Sequence, residues 1–165
     1  MDINYYIKKF EAATNKLDKK LLRQQQIELA VGVFFDSVFL KLYKKEWSDP
    51  SHDALTAPSR IFFSIWINDK SIAEEKLLYN IHALKLRLLP GYKIESRKFA
   101  VTFRKDFKKY EKHWPNVSVD FGPLTLMEGW VKFDEENFQN DILKLSNQFL
   151  AIEHLIDNTL AQYKK

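Results

Sequence analysis

The sequence predicts an α+β fold, a helix-rich single domain over residues 1–165 with a small, mostly antiparallel sheet covered by helices. Three observations lead to it. Several segments carry apolar residues at helical spacing. One short aromatic run, 61–67, is bounded by turn residues on both sides. Alternating residues around Gly122-Pro123 read as a hairpin. A chain of 165 residues suffices for one hydrophobic core, and four Gly and five Pro leave no room for a low-complexity linker.

Taken in order, Ile3, Ile7, Phe10, Leu17 and Leu21 follow helical spacing behind Asp2, an N-cap residue type. A second helix is expected from near Asp18 to Lys45, with Ile27, Val31, Phe34, Val38 and Leu42 on its inner face. Glu28, Asp36 and Lys41 interrupt this apolar stretch, which is too short to span a bilayer, so it reads as a core helix. The turn residues between Trp47 and Ser59 make a surface loop, and 61–67 is the clearest strand.

A helix is then expected over 71–89, with Ile72, Leu77, Ile81, Leu84 and Leu88 on one face and Ser71 as N-cap three residues before Glu74. Pro90-Gly91 ends it. The spacing of Phe99, Phe103, Phe107, Tyr110 and Trp114 predicts another helix over 96–112, stopped by Pro115-Asn116. Strands are expected at 117–121 and 125–133. After Asp134 a last helix carries Phe138, Ile142, Leu145, Phe149, Ile152 and Ile156 as a stripe, expected to be chiefly intramolecular core against the 27–43 segment.

Charge is segregated along the chain. Residues 85–112 hold ten Lys and Arg against three acids, whereas 113–163 hold two Lys against eight acids, so the formal charge of +4 hides two regions of opposite sign. On the 96–112 helix, Arg97, Arg104, Lys105, Lys108 and Lys112 fall opposite the aromatic stripe, and Lys85, Arg87 and Lys93 extend that basic side. Such a ridge can neutralise several phosphates, so these are the candidate nucleic-acid-binding residues. The competing reading is a Lys-rich face that is merely solvated. No zinc-finger spacing, Gly-rich phosphate loop or helix-turn-helix sharpens the choice.

Thirteen Phe, seven Tyr and four Trp supply core mass, with a ring-lined groove for a planar ligand, base or peptide as the alternative. Trp114, Asp120, Glu128 and Trp130 are the candidate rim of a pocket on the 114–130 hairpin. Asp49, His52 and Asp53 are the only close metal-ligand types in one loop, and turn chemistry explains them, so no metal and no cofactor is expected. No Gly-x-Ser-x-Gly occurs, and Glu95 with Lys98, or Glu128 with Lys132, are wrongly spaced for one face of a nuclease strand. Whether the chain is an enzyme therefore stays open.

The absence of Cys removes disulfides, thiolate nucleophiles and Cys-ligated metals; with no signal-peptide pattern at the start, a cytoplasmic protein is expected. The function expected is a non-enzymatic binding protein that contacts nucleic acid, another polyanion or an acidic protein surface through the basic 96–112 face. The alternatives are a helix-mediated interaction module acting as a homodimer, although a monomer is favoured, and a small-molecule-binding domain or enzyme using the aromatic hairpin.

Overall fold

Alternation with period two governs the middle of the chain. The computed structural model describes all residues from Met1 to Lys165. Helices α1 (Ile3–Thr14) and α2 (Lys19–Gln24) precede strands β1 (Glu28–Phe34), β2 (Ser37–Tyr43) and β3 (Arg60–Ile67). Then follow α3 (Asp69–Ala73), β4 (Lys76–Leu84), α4 (Ser96–Phe107), β5 (Thr125–Lys132), α5 (Phe138–Ile152) and α6 (His154–Ala161). The five strands form one antiparallel meander in chain order, so the α+β class and the antiparallel sheet stand as the sequence predicted.

Two long helices expected from the sequence are instead strands. Over 18–45 only α2 is helical; the rest is the β1–β2 hairpin, with Leu29↔Leu42, Val31↔Leu40 and Val33↔Val38 paired across it. Ile27, Val31 and Val38 fit a four-residue step, but so many β-branched residues in alternation pair better as strands. The chain reverses at Phe35, in the left-handed region at φ 53°. Over 71–89 the helix stops at Ala73, Glu75 takes φ 55°, and Leu77, Tyr79, Ile81 and Ala83 then point to the core from β4. Asn68, not Ser71, caps α3: its Oδ1 accepts from Ser71 N at 2.8 Å while Ser71 Oγ accepts from Asn68 N at 2.9 Å.

α4 forms where expected but ends at Phe107, with one short turn of tighter helix at Glu111–His113. The strand expected at 117–121 does not form. Only Ser118 pairs, exchanging both backbone bonds with Glu128 at 2.8 and 3.0 Å. The Arg104 side chain takes the carbonyls of Phe121 and Gly122 and those of Thr125 and Leu126 at the start of β5, which ties the turn and the head of that strand to α4.

The stripe Phe138 to Ile156 is buried throughout, split between α5 and α6 at Glu153. It packs on the sheet and on α1, not on a helix over 27–43; Phe149 stacks on Phe63 of β3 with ring centroids 4.5 Å apart. One core of 37 residues joins the helices to the inward faces of the strands. A buried ion cluster closes one end: Lys44 Nζ lies 2.8 Å from Glu153 and 2.6 Å from Asp157, and Trp47 Nε1 donates to Asp157 at 2.7 Å. No helix is long and apolar enough to cross a membrane.

Candidate functional site: the bare face of the sheet

Every strand has a second face, and none of its residues belongs to the 37-residue core, although Tyr43 of β2 packs against it. β2 presents Phe39 and Lys41 there, β3 presents Arg60, Phe62, Ser64 and Trp66, β4 presents Asn80, His82 and Leu84, and β5 presents Glu128. These side chains line a groove of about 830 Å³, with Val33 and Phe34 of β1 at one wall and Leu55 and Thr56 at the other. Loop 48–59 reaches the rim through local bonding: the Asp49 carboxylate accepts from Ser51 N at 3.0 Å, and the Asp53 carboxylate from Leu55 N at 2.8 Å. Arg60 Nη1 donates to Ala57 O at 2.5 Å, which draws its guanidinium to the loop, and its Nε is buried without a partner.

The groove gathers basic groups and pairs none of them with an acid. Lys41 Nζ lies 4.8 Å from the Phe39 ring centroid and 4.5 Å from that of Phe62. The Arg60 guanidinium sits 5.3 Å from the Phe62 ring centroid, and the His82 ring packs on Phe62 at 5.4 Å. Neither Lys41, Arg60 nor His82 takes part in any ion pair. Burial and then the Arg60 charge push the Lys41 ammonium down to about 8. Burial, with Lys41 and Arg60 behind it, pushes His82 down to about 4, so its imidazole is neutral at pH 7. The floor is hydrogen-bonded: Ser64 Oγ donates to Asn80 Oδ1 at 2.6 Å, and Asn80 Nδ2 to Glu128 Oε1 at 3.2 Å.

The residues singled out in the sequence fall elsewhere or only partly here. Lys85, Arg87, Lys93, Arg97, Lys105, Lys108 and Lys112 are exposed, and Phe99, Phe103 and Phe107 of α4 are buried. Arg104 departs from that ridge, because all its bonding goes to the four carbonyls of the 121–126 segment. Of the proposed rim, Glu128 lines the groove and Trp130 shares its face, whereas Trp114 is buried against Phe63, Tyr79 and Phe107 and Asp120 lies in the exposed loop. In the 49–53 loop His52 Nδ1 stands 3.6 Å from Asp49, and nowhere do three or more His, Asp or Glu gather as for a metal ion.

Sequence reasoning missed Lys41, Asn80 and His82 as groove residues because it laid β1, β2 and β4 out as helices, and Arg60 and Ser64 because β3, though predicted as a strand, had no partner strands to define its second face. The signal was there: Phe39-x-Lys41-x-Tyr43, Arg60-x-Phe62-x-Ser64-x-Trp66 and Leu78-x-Asn80-x-His82 each put rings and polar groups on one strand face. Compared with protein-family models, with curated proteins and with solved structures, the chain finds no match, so its function rests on this geometry.

Proposed function

We propose that the bare sheet face is a receptor for a small anionic ligand with a flat, apolar body. One observation carries the reading: Lys41 and Arg60 converge in a concave, ring-lined groove and neither forms an ion pair, its one carboxylate, Glu128, being bonded to Asn80 instead. A partly desolvated, unpaired cation is costly, and an entering anion relieves that cost while Phe39, Phe62 and Trp66 cover its apolar body. The volume of about 830 Å³ suits a small molecule. The Ser64 hydroxyl gives its proton to the Asn80 amide and not to a base, an arrangement for recognition rather than nucleophilic attack.

Two fluorescent probes separate charge from hydrophobicity. 8-Anilinonaphthalene-1-sulfonate carries a sulfonate, and N-phenyl-1-naphthylamine has the same rings without it. The sulfonate probe is expected to bind more tightly to the native protein, and Lys41→Met or Arg60→Met to weaken it about tenfold while sparing the neutral probe. Equal loss of both probes, or none, contradicts the reading.

The exposed cations of α4 favour a second reading, contact with nucleic acid or another polyanion through Arg97, Lys105, Lys108 and Lys112. These four form no ion pair, whereas Lys98 is 3.1 Å from Glu95. Fluorescence anisotropy with a labelled oligonucleotide at low salt tests it. Binding that falls steeply with salt, and is lost in Lys105→Glu/Lys108→Glu/Lys112→Glu, supports it; binding unchanged by that triple variant removes it.

A further inference from the structure

The floor of the groove is polarised from end to end. Lys41 faces Ser64, Ser64 faces Asn80, and Asn80 faces Glu128, so a single register line crosses β2, β3, β4 and β5. Adjacent strands lie about 4.8 Å apart, which sets the backbones of Lys41 and Glu128 about 14 Å apart. The two opposite charges at its ends form no ion pair with each other.

The middle of the line holds them apart. Ser64 and Asn80 are 6% and 3% exposed, and the Ser64 hydroxyl bonded to Asn80 Oδ1 fixes the amide so that Nδ2 turns to Glu128. Glu128 accepts only that bond, through Oε1, and forms no ion pair. Rings flank the line on both sides, with Phe39 and Trp66 paired along one and Phe62 and His82 along the other. A simple anion satisfies one end of this groove and leaves the carboxylate at the other.

Building on the receptor reading above, we propose that the groove takes an extended zwitterion, a short apolar peptide with free ends, its carboxylate at Lys41 and Arg60 and its ammonium at Glu128. The length fits: an extended chain advances about 3.3–3.6 Å per residue, so three residues span about 10 Å, and the inward reach of the Lys and Glu side chains takes up the remainder. Charge-assisted bonds at both termini fix the orientation, and the flanking rings receive the apolar side chains.

Isothermal titration with the free tripeptide Leu-Phe-Leu, its N-acetyl form and its C-terminal amide tests the assignment, beside a titration with the sulfonate probe. Acetylation and amidation are each expected to weaken binding about tenfold or more. The acetylation loss should vanish in Glu128→Gln, and the amidation loss should shrink in Lys41→Met and vanish in Lys41→Met/Arg60→Met; all three variants are expected to keep the native far-ultraviolet dichroism. If the probe binds as described but the three peptides bind equally, or none binds, the zwitterion assignment is overturned and the anion receptor stands. If neither probe nor peptide binds, both readings fall.

Discussion

The two faces of the sheet are built from similar ring-rich strands and behave in opposite ways. On the covered face, Phe63, Tyr79 and Phe149 meet other rings and aliphatic chains within the common core. On the bare face, Phe39, Phe62 and Trp66 meet Lys41, Arg60 and His82 at the wall of an open groove. Rings on the first face hold the chain folded; rings on the second lower the polarity around charges that lack partners. The difference teaches that aromatic content alone separates neither role, and that the polar residue two positions along the strand does.

The largest expected effect tests the covered face. Phe149→Ala removes a fully buried ring stacked on Phe63 and should cost ~3–5 kcal/mol in denaturant unfolding, whereas Phe39→Ala on the bare face should stay within ~1 kcal/mol and weaken the sulfonate probe instead. Comparable stability losses would erase the distinction between the faces. Next comes the Arg104 clamp. Arg104→Met releases the carbonyls of Phe121, Gly122, Thr125 and Leu126, which water can reach in part, so about 1–2 kcal/mol is expected, with faster amide exchange over 117–126 and an unchanged groove.

A smaller effect follows pH. His82 titrates at about 4 in the folded chain against 6.5 when unfolded, so between those values the unfolded state binds the extra proton. Stability should therefore fall as pH drops from about 6.5 to about 4. Comparing urea midpoints of the native chain and His82→Phe across that window isolates the contribution, since the carboxylates titrate in both. An identical pH dependence would mean that His82 is not held neutral. The smallest change concerns Gly32, where an added Cβ would stand 3.0 Å from Phe39 Cζ. Gly32→Ala should tilt the Phe39 ring, leave the unfolding midpoint nearly unmoved and weaken the sulfonate probe a few-fold.

The fold class was legible because α1, β3, α4 and the Phe138 to Ile156 stripe carry clear periods, although α1 ends before Leu17, α4 ends at Phe107 and the stripe is split at Glu153. The sheet's extent was not, for Ile27 and Val31, like Leu77 and Ile81, satisfy a helical step as well as a strand alternation. Pairing between distant segments, such as Leu40 with Ile65, settles which period wins. The site inherits the same ambiguity: Glu128 was recognised from an idiosyncratic segment, but Lys41, Ser64 and Asn80 form a line only once three strand registers are known. Arg104 shows the converse, a cation placed on the right helix face whose bonding is claimed by four carbonyls that no spacing rule exposes.

The four histidines sit at separate places and can report directly on where an anion binds. His82 packs in the groove, His52 is exposed in the loop that reaches its rim, His113 follows the basic helix α4, and His154 is exposed on α6. Imidazole resonances followed by nuclear magnetic resonance during addition of 8-anilinonaphthalene-1-sulfonate should show His82 moving alone, with its response much reduced in Lys41→Met. Movement of His113 with a silent His82 would place the anion on α4 and contradict the receptor reading of the bare sheet face.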